Sequence, residues 1–152
     1  MMILHKLLKY ATQKSAPAYQ VPIRDPFEER YFDAIPEIEA AWSVLYNLKS
    51  YTGPQADAFE QKCLANIQDF MSTPAAWRQG VREVPAYTRL AMLYEKQERY
   101  DEAIDICSAA IRNGITIDGS KGQMYGRLAR MIRKSGKTVS DDIIKLSQGG
   151  QS

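Results

Sequence analysis

The spacing of apolar side chains in residues 85 to 111 constrains the fold of this chain more than any other feature. These side chains recur at three- and four-residue steps in two runs, and residues 97–100 separate the runs. The apolar positions are Tyr87, Leu90, Ala91, Tyr94, Ala103, Ile104, Cys107, Ala110 and Ile111. This period is that of an α-helix with one buried face, so the stretch predicts a helical hairpin with its turn at 97–100.

A helical period also runs through most of the remaining chain, and prolines and glycines mark the predicted ends of each helix. The predicted helices span residues 26–51, 55–71, 75–80, 85–96, 101–113 and 120–136, with a weaker segment at 141–146. Thr73 is expected to cap the short third helix, and Ser120 with Gln123 to form a capping box. The final residues, 148–152, are expected to fray. Since no stretch predicts a strand, the predicted fold class is all-α.

Residues 1 to 14 have an amphipathic helical pattern of their own, followed by a connector with three prolines between 17 and 26. The apolar face of this pattern comprises Ile3, Leu4, Leu7 and Leu8. Because the prolines deny the backbone donors that a helix needs, the connector is expected to be extended, and the first segment to form a separate arm. The apolar run is too interrupted for a signal peptide or a membrane span, so we expect a cytoplasmic protein without membrane contact.

Length and composition predict one globular domain. The expected organisation is an N-terminal helix and Pro-rich connector over residues 1–26, a helical domain over 27–137 and a C-terminal tail over 138–152. The two cysteines, Cys63 and Cys107, lie far apart within helical patterns. They are expected to be small core residues in a reducing compartment, with a disulfide or redox pair as the alternative.

Residues 84 to 117 resemble one tetratricopeptide repeat, a helix-turn-helix unit of 34 residues. Seven positions carry the likeness: Tyr87, Leu90, Ala91, Tyr94, Tyr100, Ala103 and Ala110. Cys107 replaces the usual bulky aromatic residue of the second helix, and Ile115 replaces the closing proline. The small residues of such a unit let its two helices approach closely, and the large ones fill the holes between turns.

Since one repeat cannot bury its own faces, the resemblance implies neighbouring repeats. Residues 39–72 are a degenerate repeat candidate, and residues 120–136 are expected to form a capping helix that closes the stack. In residues 39–72, Trp42, Leu45, Ala58 and Ala65 reproduce the offsets of the clear repeat, whereas Tyr46 and Lys62 depart from it. The implied architecture is a short, irregular stack of antiparallel helical hairpins with a right-handed superhelical twist.

Catalytic and metal-binding patterns are not found in the sequence. His5 is the only histidine, and neither cysteine has a CxxC partner. Residues 118–123 resemble a phosphate loop only superficially, because the spacing is wrong and no predicted strand precedes them. Four carboxylates, those of Glu28, Glu29, Glu37 and Glu39, are expected to form an acidic surface run rather than an acid–base pair. We therefore expect no enzymatic activity, no metal and no cofactor.

The clearest charge feature lies between residues 121 and 137, which contain six basic residues and no acidic one. Four of them share one helix face and are called the basic strip: Arg127, Arg130, Lys134 and Lys137. The strip is either a solvated face near a helix C-terminus or a docking surface for an anionic partner.

In tetratricopeptide-repeat proteins, the first helices of successive repeats line a concave groove that receives an extended peptide. The resemblance implies that such a groove would be bordered by Asn47, Thr88, Arg89, Met92, Arg127 and Arg130. Asn47 and Arg127 fall on slots of the carboxylate clamp found in some members, but Ser43 and Gln123 stand where its lysines would be. The candidate partner-binding residues are Asn47, Arg89, Met92, Arg127, Arg130 and Lys134.

These patterns favour a non-catalytic adaptor that binds a protein or peptide, with a partly basic groove for an acidic or carboxylate-bearing segment. The alternative is a nucleic-acid-binding or regulatory accessory protein that acts through residues 121–137, with Tyr125 as a stacking partner. The small net charge of +2 disfavours nucleic acid. Self-association stays open, since the apolar face of residues 1–14 could cover an end of its own chain or of a neighbouring copy.

Overall fold

The computed structural model describes residues 24–151, and all that follows concerns this part of the chain. Its helices are α1 (Pro26–Leu48), α2 (Pro54–Met71), α3 (Ala75–Arg78), α4 (Pro85–Lys96), α5 (Tyr100–Arg112), α6 (Gln123–Ser135) and α7 (Asp141–Ser147), followed by a 3-10 turn at Gly149–Gln151. No strand occurs in the described range, which confirms the all-α class. None of these helices is long and apolar enough to cross a membrane. The predicted arm, residues 1–14, lies outside the described residues.

The helices pack mainly against their neighbours in sequence. α1 pairs with α2, and α4 packs against both of them. α5 then packs on α4, α6 on α5, and α7 on α6. Three of the helices begin at the prolines that the pattern singled out, because proline's missing N–H costs nothing in the first helical turn.

The α4–α5 hairpin is closely packed through small side chains. Leu90, Ala91, Ala103 and Ala110 are completely buried, as the spacing predicted. Ile115, which stands where the repeat pattern has proline, is also completely buried. The apolar face of this hairpin therefore forms the centre of the core.

The α1–α2 hairpin has a different register from the one that the resemblance implies. Ala58 and Ala65, expected at the close contact between the two helices, are exposed. The inward face of α2 is instead formed by Phe59, Cys63 and Phe70. Burying these larger side chains removes more apolar surface from water, so they take the inward face and leave the alanines outside.

A buried hydrogen bond supports α1 at its internal proline, Pro36. Proline lacks a backbone N–H, and its ring clashes with the carbonyl of the preceding turn, which weakens the helical hydrogen bonds there. Asn66 Nδ2 on α2 donates to the Tyr31 carbonyl at 3.0 Å, next to the Phe32 carbonyl that Pro36 leaves without its helical donor. Asn66 is 1% exposed, so this bond is formed in the protein interior.

Two predicted helix caps are wrong. The Thr73 hydroxyl donates to the Phe70 carbonyl at 2.7 Å, so it closes α2 instead of opening α3. Ser120 does not cap α6; its hydroxyl donates to Asp118 Oδ1 at 2.7 Å. The residue before α6 is Gly122, whose φ of +75° favours glycine. In each case the hydroxyl donates to a nearby oxygen, whereas an N-cap oxygen would accept from a backbone N–H of the following helix.

The C-terminal residues described do not fray, contrary to expectation. α7 packs against α6 and α5, and the 3-10 turn packs against α6. The backbone of Gly149 and Gly150 lies on the ring of Tyr125. A Cβ atom at either glycine would come within 2.9 Å of that ring, so only glycine fits this contact.

Both cysteines are free and buried, as expected for core residues. Burial raises the pKa of each thiol, Cys63 and Cys107, to about 12. Neither is therefore a reactive thiolate at neutral pH.

Candidate functional site

Arg127, a candidate partner-binding residue, is buried against an acidic side chain. Its Nε donates to Asp118 Oδ2 at 2.6 Å, and the two side chains are 9% and 0% exposed. Burial alone raises the pKa of Asp118, but hydrogen bonds from Arg127 and Ser120 outweigh it, and the pKa lies below its usual range. Arg127 thus anchors the α5–α6 loop onto α6, and it does not face an open groove as the resemblance implied.

The other three cations of the basic strip also have partners on the molecule. Arg130 donates to Lys121 O at 2.7 Å and to Ser120 Oγ at 3.0 Å, Lys134 pairs with Glu95, and Lys137 pairs with Asp101 at 2.8 Å. The acidic partners come from α4 and α5, far from the strip in sequence. Three of the four cations of the strip are thus paired with carboxylates, and Arg130 is bonded to two neutral oxygens, which weakens the case for the strip as a docking surface for anions.

The remaining candidate residues lie on α1 and α4. Arg89 donates through Nη2 and Nε to Glu39 Oε2 at 2.7 and 3.0 Å, and its Nη1 lies 3.4 Å from the sulfur of Met92. Asn47 is exposed on α1. The structure thus brings Arg89 and Met92 together, but the carboxylate that Arg89 holds belongs to the chain itself. A partner's carboxylate would have to displace Glu39.

The stacking role considered for Tyr125 also meets an obstacle. The backbone of Gly149 and Gly150 covers its ring. A base stacking on the side of the ring that these glycines contact would require the C-terminal turn to move away.

An apolar groove between α1 and α2 was not anticipated from the sequence. We call it the α1–α2 groove; it has a volume of about 290 Å³ and is lined by Ala41, Val44, Leu45, Gln55, Ala58, Phe59 and Lys62. Val44 is 48% exposed, and Leu48, one turn further along α1, is 67% exposed. The small side chain of the exposed Ala58 leaves room for another helix to approach.

The outer surface of α1 changes character along its length. Towards its N-terminus it carries Glu29, Asp33 and Glu37, all exposed, at four-residue steps. One turn beyond Glu37 the same line continues into Ala41 and Val44, which line the groove. We call the carboxylates of Glu29, Asp33 and Glu37 the acidic line. At the rim, Glu37 accepts a hydrogen bond from Lys62 at 2.8 Å, which holds the pKa of this carboxyl below its usual range.

Ion pairs hold α2 against the α4–α5 turn on the far side from the groove. Glu60 accepts from Arg99 at 2.8 Å and from the Tyr94 hydroxyl at 2.9 Å. These bonds, with that from Arg99 as the main cause, lower the pKa of Glu60. One wall of the groove therefore belongs to a helix that is fixed to the rest of the domain.

Comparison with protein-family models found no match, and comparisons with curated proteins and with solved structures found none either. Across residues 24–151, no group of three or more His, Cys, Asp or Glu side chains is placed to hold a metal ion.

Proposed function

We propose that this chain is a non-catalytic protein-binding module whose α1–α2 groove receives an amphipathic helix of a partner protein. The observation that carries the proposal is the groove itself, which is lined mainly by apolar residues, with Val44 about half exposed inside it and Leu48 exposed one turn beyond. An open apolar groove between two helices suits an incoming helix that buries its own apolar face there.

The acidic line defines the second property of the partner helix. Glu29 and Asp33 lie on the side of α1 that leads to the groove, whereas Glu37 is already paired with Lys62 at the rim. A partner with basic residues beside its apolar face would gain complementary charge from Glu29 and Asp33. The favoured partner is therefore an amphipathic segment with leucine-like residues at three- and four-residue steps and lysines or arginines flanking them. This chemistry differs from that of the acidic partner considered from the sequence.

The acidic-partner version of the adaptor remains a weaker proposal. It is supported by the exposed Asn47 and by the half-buried Arg89 and Met92 on α4. Against it stand the ion pair of Arg89 with Glu39 and the burial of Arg127.

The proposal is tested by titrating a fluorescent amphipathic peptide, with leucines at helical spacing and lysines flanking this apolar face, into full-length protein. Leu4→Asp and Leu7→Asp are introduced throughout, so that the chain's own apolar segment cannot compete with the peptide. On this background, Val44→Asp is compared with Ile144→Asp, which places the same charge at a similarly exposed apolar residue on α7.

We expect fluorescence anisotropy to show binding to the background protein and to its Ile144→Asp variant. Val44→Asp should weaken binding at least tenfold, because a carboxylate in the apolar contact must be desolvated. Equal affinity for the two variants, or no binding to any of the three proteins at millimolar peptide, would refute the proposal.

A further inference from the structure

We infer that in the free protein the α1–α2 groove is occupied by residues 3–9 of the same chain, which a partner helix must displace. This inference rests on the proposed function, since it concerns the same groove. It assigns to residues 1–23, which lie outside the described residues, a specific docking place on the described ones.

The apolar face of residues 3–9 matches the apolar surface of the α1–α2 groove. Residues 3–9 have the pattern that the groove requires, with Ile3, Leu4, Leu7 and Leu8 on one face of a predicted helix. The groove offers the exposed Val44 on α1 and the exposed Ala58 on α2, and the exposed Leu48 lies one turn beyond Val44. The residue pattern and the open surface belong to the same polypeptide, so their encounter requires no second molecule.

The charges of residues 1–23 and of α1 are opposite in sign. Residues 1–23 contain Lys6, Lys9 and Lys14 and no acidic residue. α1, along which the chain would have to return, carries five acidic residues and one basic residue: Glu28, Glu29, Asp33, Glu37, Glu39 and Arg30. Glu37 is paired with Lys62, so the complementary charge along the path of Lys9 and Lys14 comes from Glu29 and Asp33, between Arg24 and the groove.

The connector between residue 9 and α1 is long enough to reach the groove. Val44 lies 18 residues after Pro26 on α1, and at 1.5 Å per residue this is a distance of about 27 Å. The 14 residues from 10 to 23, if extended at 3.1 Å per residue, span about 43 Å. The connector is therefore long enough to place residues 3–9 over the groove while leaving slack for the turn at Arg24.

The test uses the full chain with a spin label on a cysteine introduced as Lys6→Cys, off the apolar face. The native thiols, with pKa values of about 12, do not compete for the label at neutral pH. We expect the label to broaden the NMR amide signals of Val44, Leu48 and Ala58 but not those of α7. Adding Leu4→Asp and Leu7→Asp should abolish the broadening without changing the helical circular dichroism of the domain.

Binding of the separate amphipathic peptide to the chain distinguishes this inference from the proposed function. If the segment covers the groove about nine-tenths of the time, the native chain should bind the amphipathic peptide about tenfold more weakly than its Leu4→Asp/Leu7→Asp variant. Equal binding by both chains, or no broadening in the native chain, overturns the inference and leaves the proposed function standing. Broadening of the groove signals without peptide binding by the variant keeps the intramolecular contact and overturns the function.

A second copy of the chain is the competing occupant. One copy carries the spin label without the NMR isotope, and the other carries the isotope without the spin label. Broadening in a mixture of the two reports contacts between copies only. Groove broadening in this mixture as strong as that within one labelled chain would overturn the intramolecular contact in favour of an exchanged dimer. Its absence, with a monomeric sedimentation profile, supports the inference.

Discussion

Replacing Asp118 by alanine should destabilise the domain more than any surface charge change, because it strands a buried guanidinium. Asp118 accepts from Arg127 Nε at 2.6 Å and from Ser120 N and Oγ at 2.9 and 2.7 Å. Its side chain is 0% exposed, and that of Arg127 is 9% exposed. Removing one partner of a buried ion pair costs about 3 to 5 kcal/mol, since the remaining charge stays uncompensated.

Urea denaturation followed by the fluorescence of the two tryptophans measures this loss directly. For a domain of this size, a loss of about 3 to 5 kcal/mol in unfolding free energy corresponds to a decrease in Tm of roughly 6 to 20 °C. The matched control is the double variant Asp118→Ala with Arg127→Leu, which removes both charges and restores apolar contact. We expect this double variant to be more stable than Asp118→Ala alone. A decrease in unfolding free energy below about 1 kcal/mol for Asp118→Ala would refute this reasoning. So would a double variant whose decrease equals the sum of those of Asp118→Ala and Arg127→Leu, each measured alone.

The same pair gives a pH dependence with a defined sign. Because the folded-state pKa of Asp118 lies below its unfolded value, the stabilisation is complete above the unfolded pKa and is lost as the pH falls through the folded one. Below about pH 4, the native chain should therefore lose more unfolding free energy than Asp118→Asn does. Parallel losses in the two proteins would show that Asp118 does not titrate as the structure implies.

Three further predictions concern the packing. Asn66→Leu should destabilise the domain by about 1 to 3 kcal/mol, because the Tyr31 carbonyl then loses its buried donor; urea midpoints measure this. Gly126→Ala should lower Tm, since its Cβ would lie 2.2 Å from the Lys121 carbonyl oxygen; a Tm equal to that of the native chain would contradict this packing. Both cysteine thiols should stay unreactive towards a thiol reagent at neutral pH until urea unfolds the protein; fast labelling of the folded chain would show that one is accessible.

Helix positions were predictable from the sequence because local features determine them. Pro26, Pro54 and Pro85 begin helices, and Gly114, with a φ of +79°, follows the end of α5. The burial of Leu90, Ala91 and Ala103 also follows from the local period. Each of these features operates within a few residues along the chain.

The state of the candidate site was not predictable from the same patterns, because it depends on contacts between distant residues. Glu95 and Asp101 neutralise Lys134 and Lys137 from 39 and 36 residues away. No local window contains both members of such a pair. The basic run in the sequence therefore looks like an open docking surface, whereas folding brings an acid to it.

The groove was missed for a related reason. Ala58 matches a small-residue position of the repeat pattern, which predicts it inside the hairpin. The competing burial of Phe59 and Cys63 rotates α2 and leaves Ala58 at the surface. One available signal was the line Glu37, Ala41, Val44 on α1, a helical face that turns from acidic to apolar.

Hydrogen–deuterium exchange tests the central claim most directly, because it compares the α1–α2 groove with the basic strip in one experiment. The full-length Leu4→Asp/Leu7→Asp chain is measured with and without the amphipathic peptide. We predict slower exchange in residues 41–48 and 55–62 when the peptide is bound, and unchanged exchange in residues 127–134. Protection along residues 127–134, with unchanged exchange in the groove, would contradict the account and restore the basic strip as the binding surface.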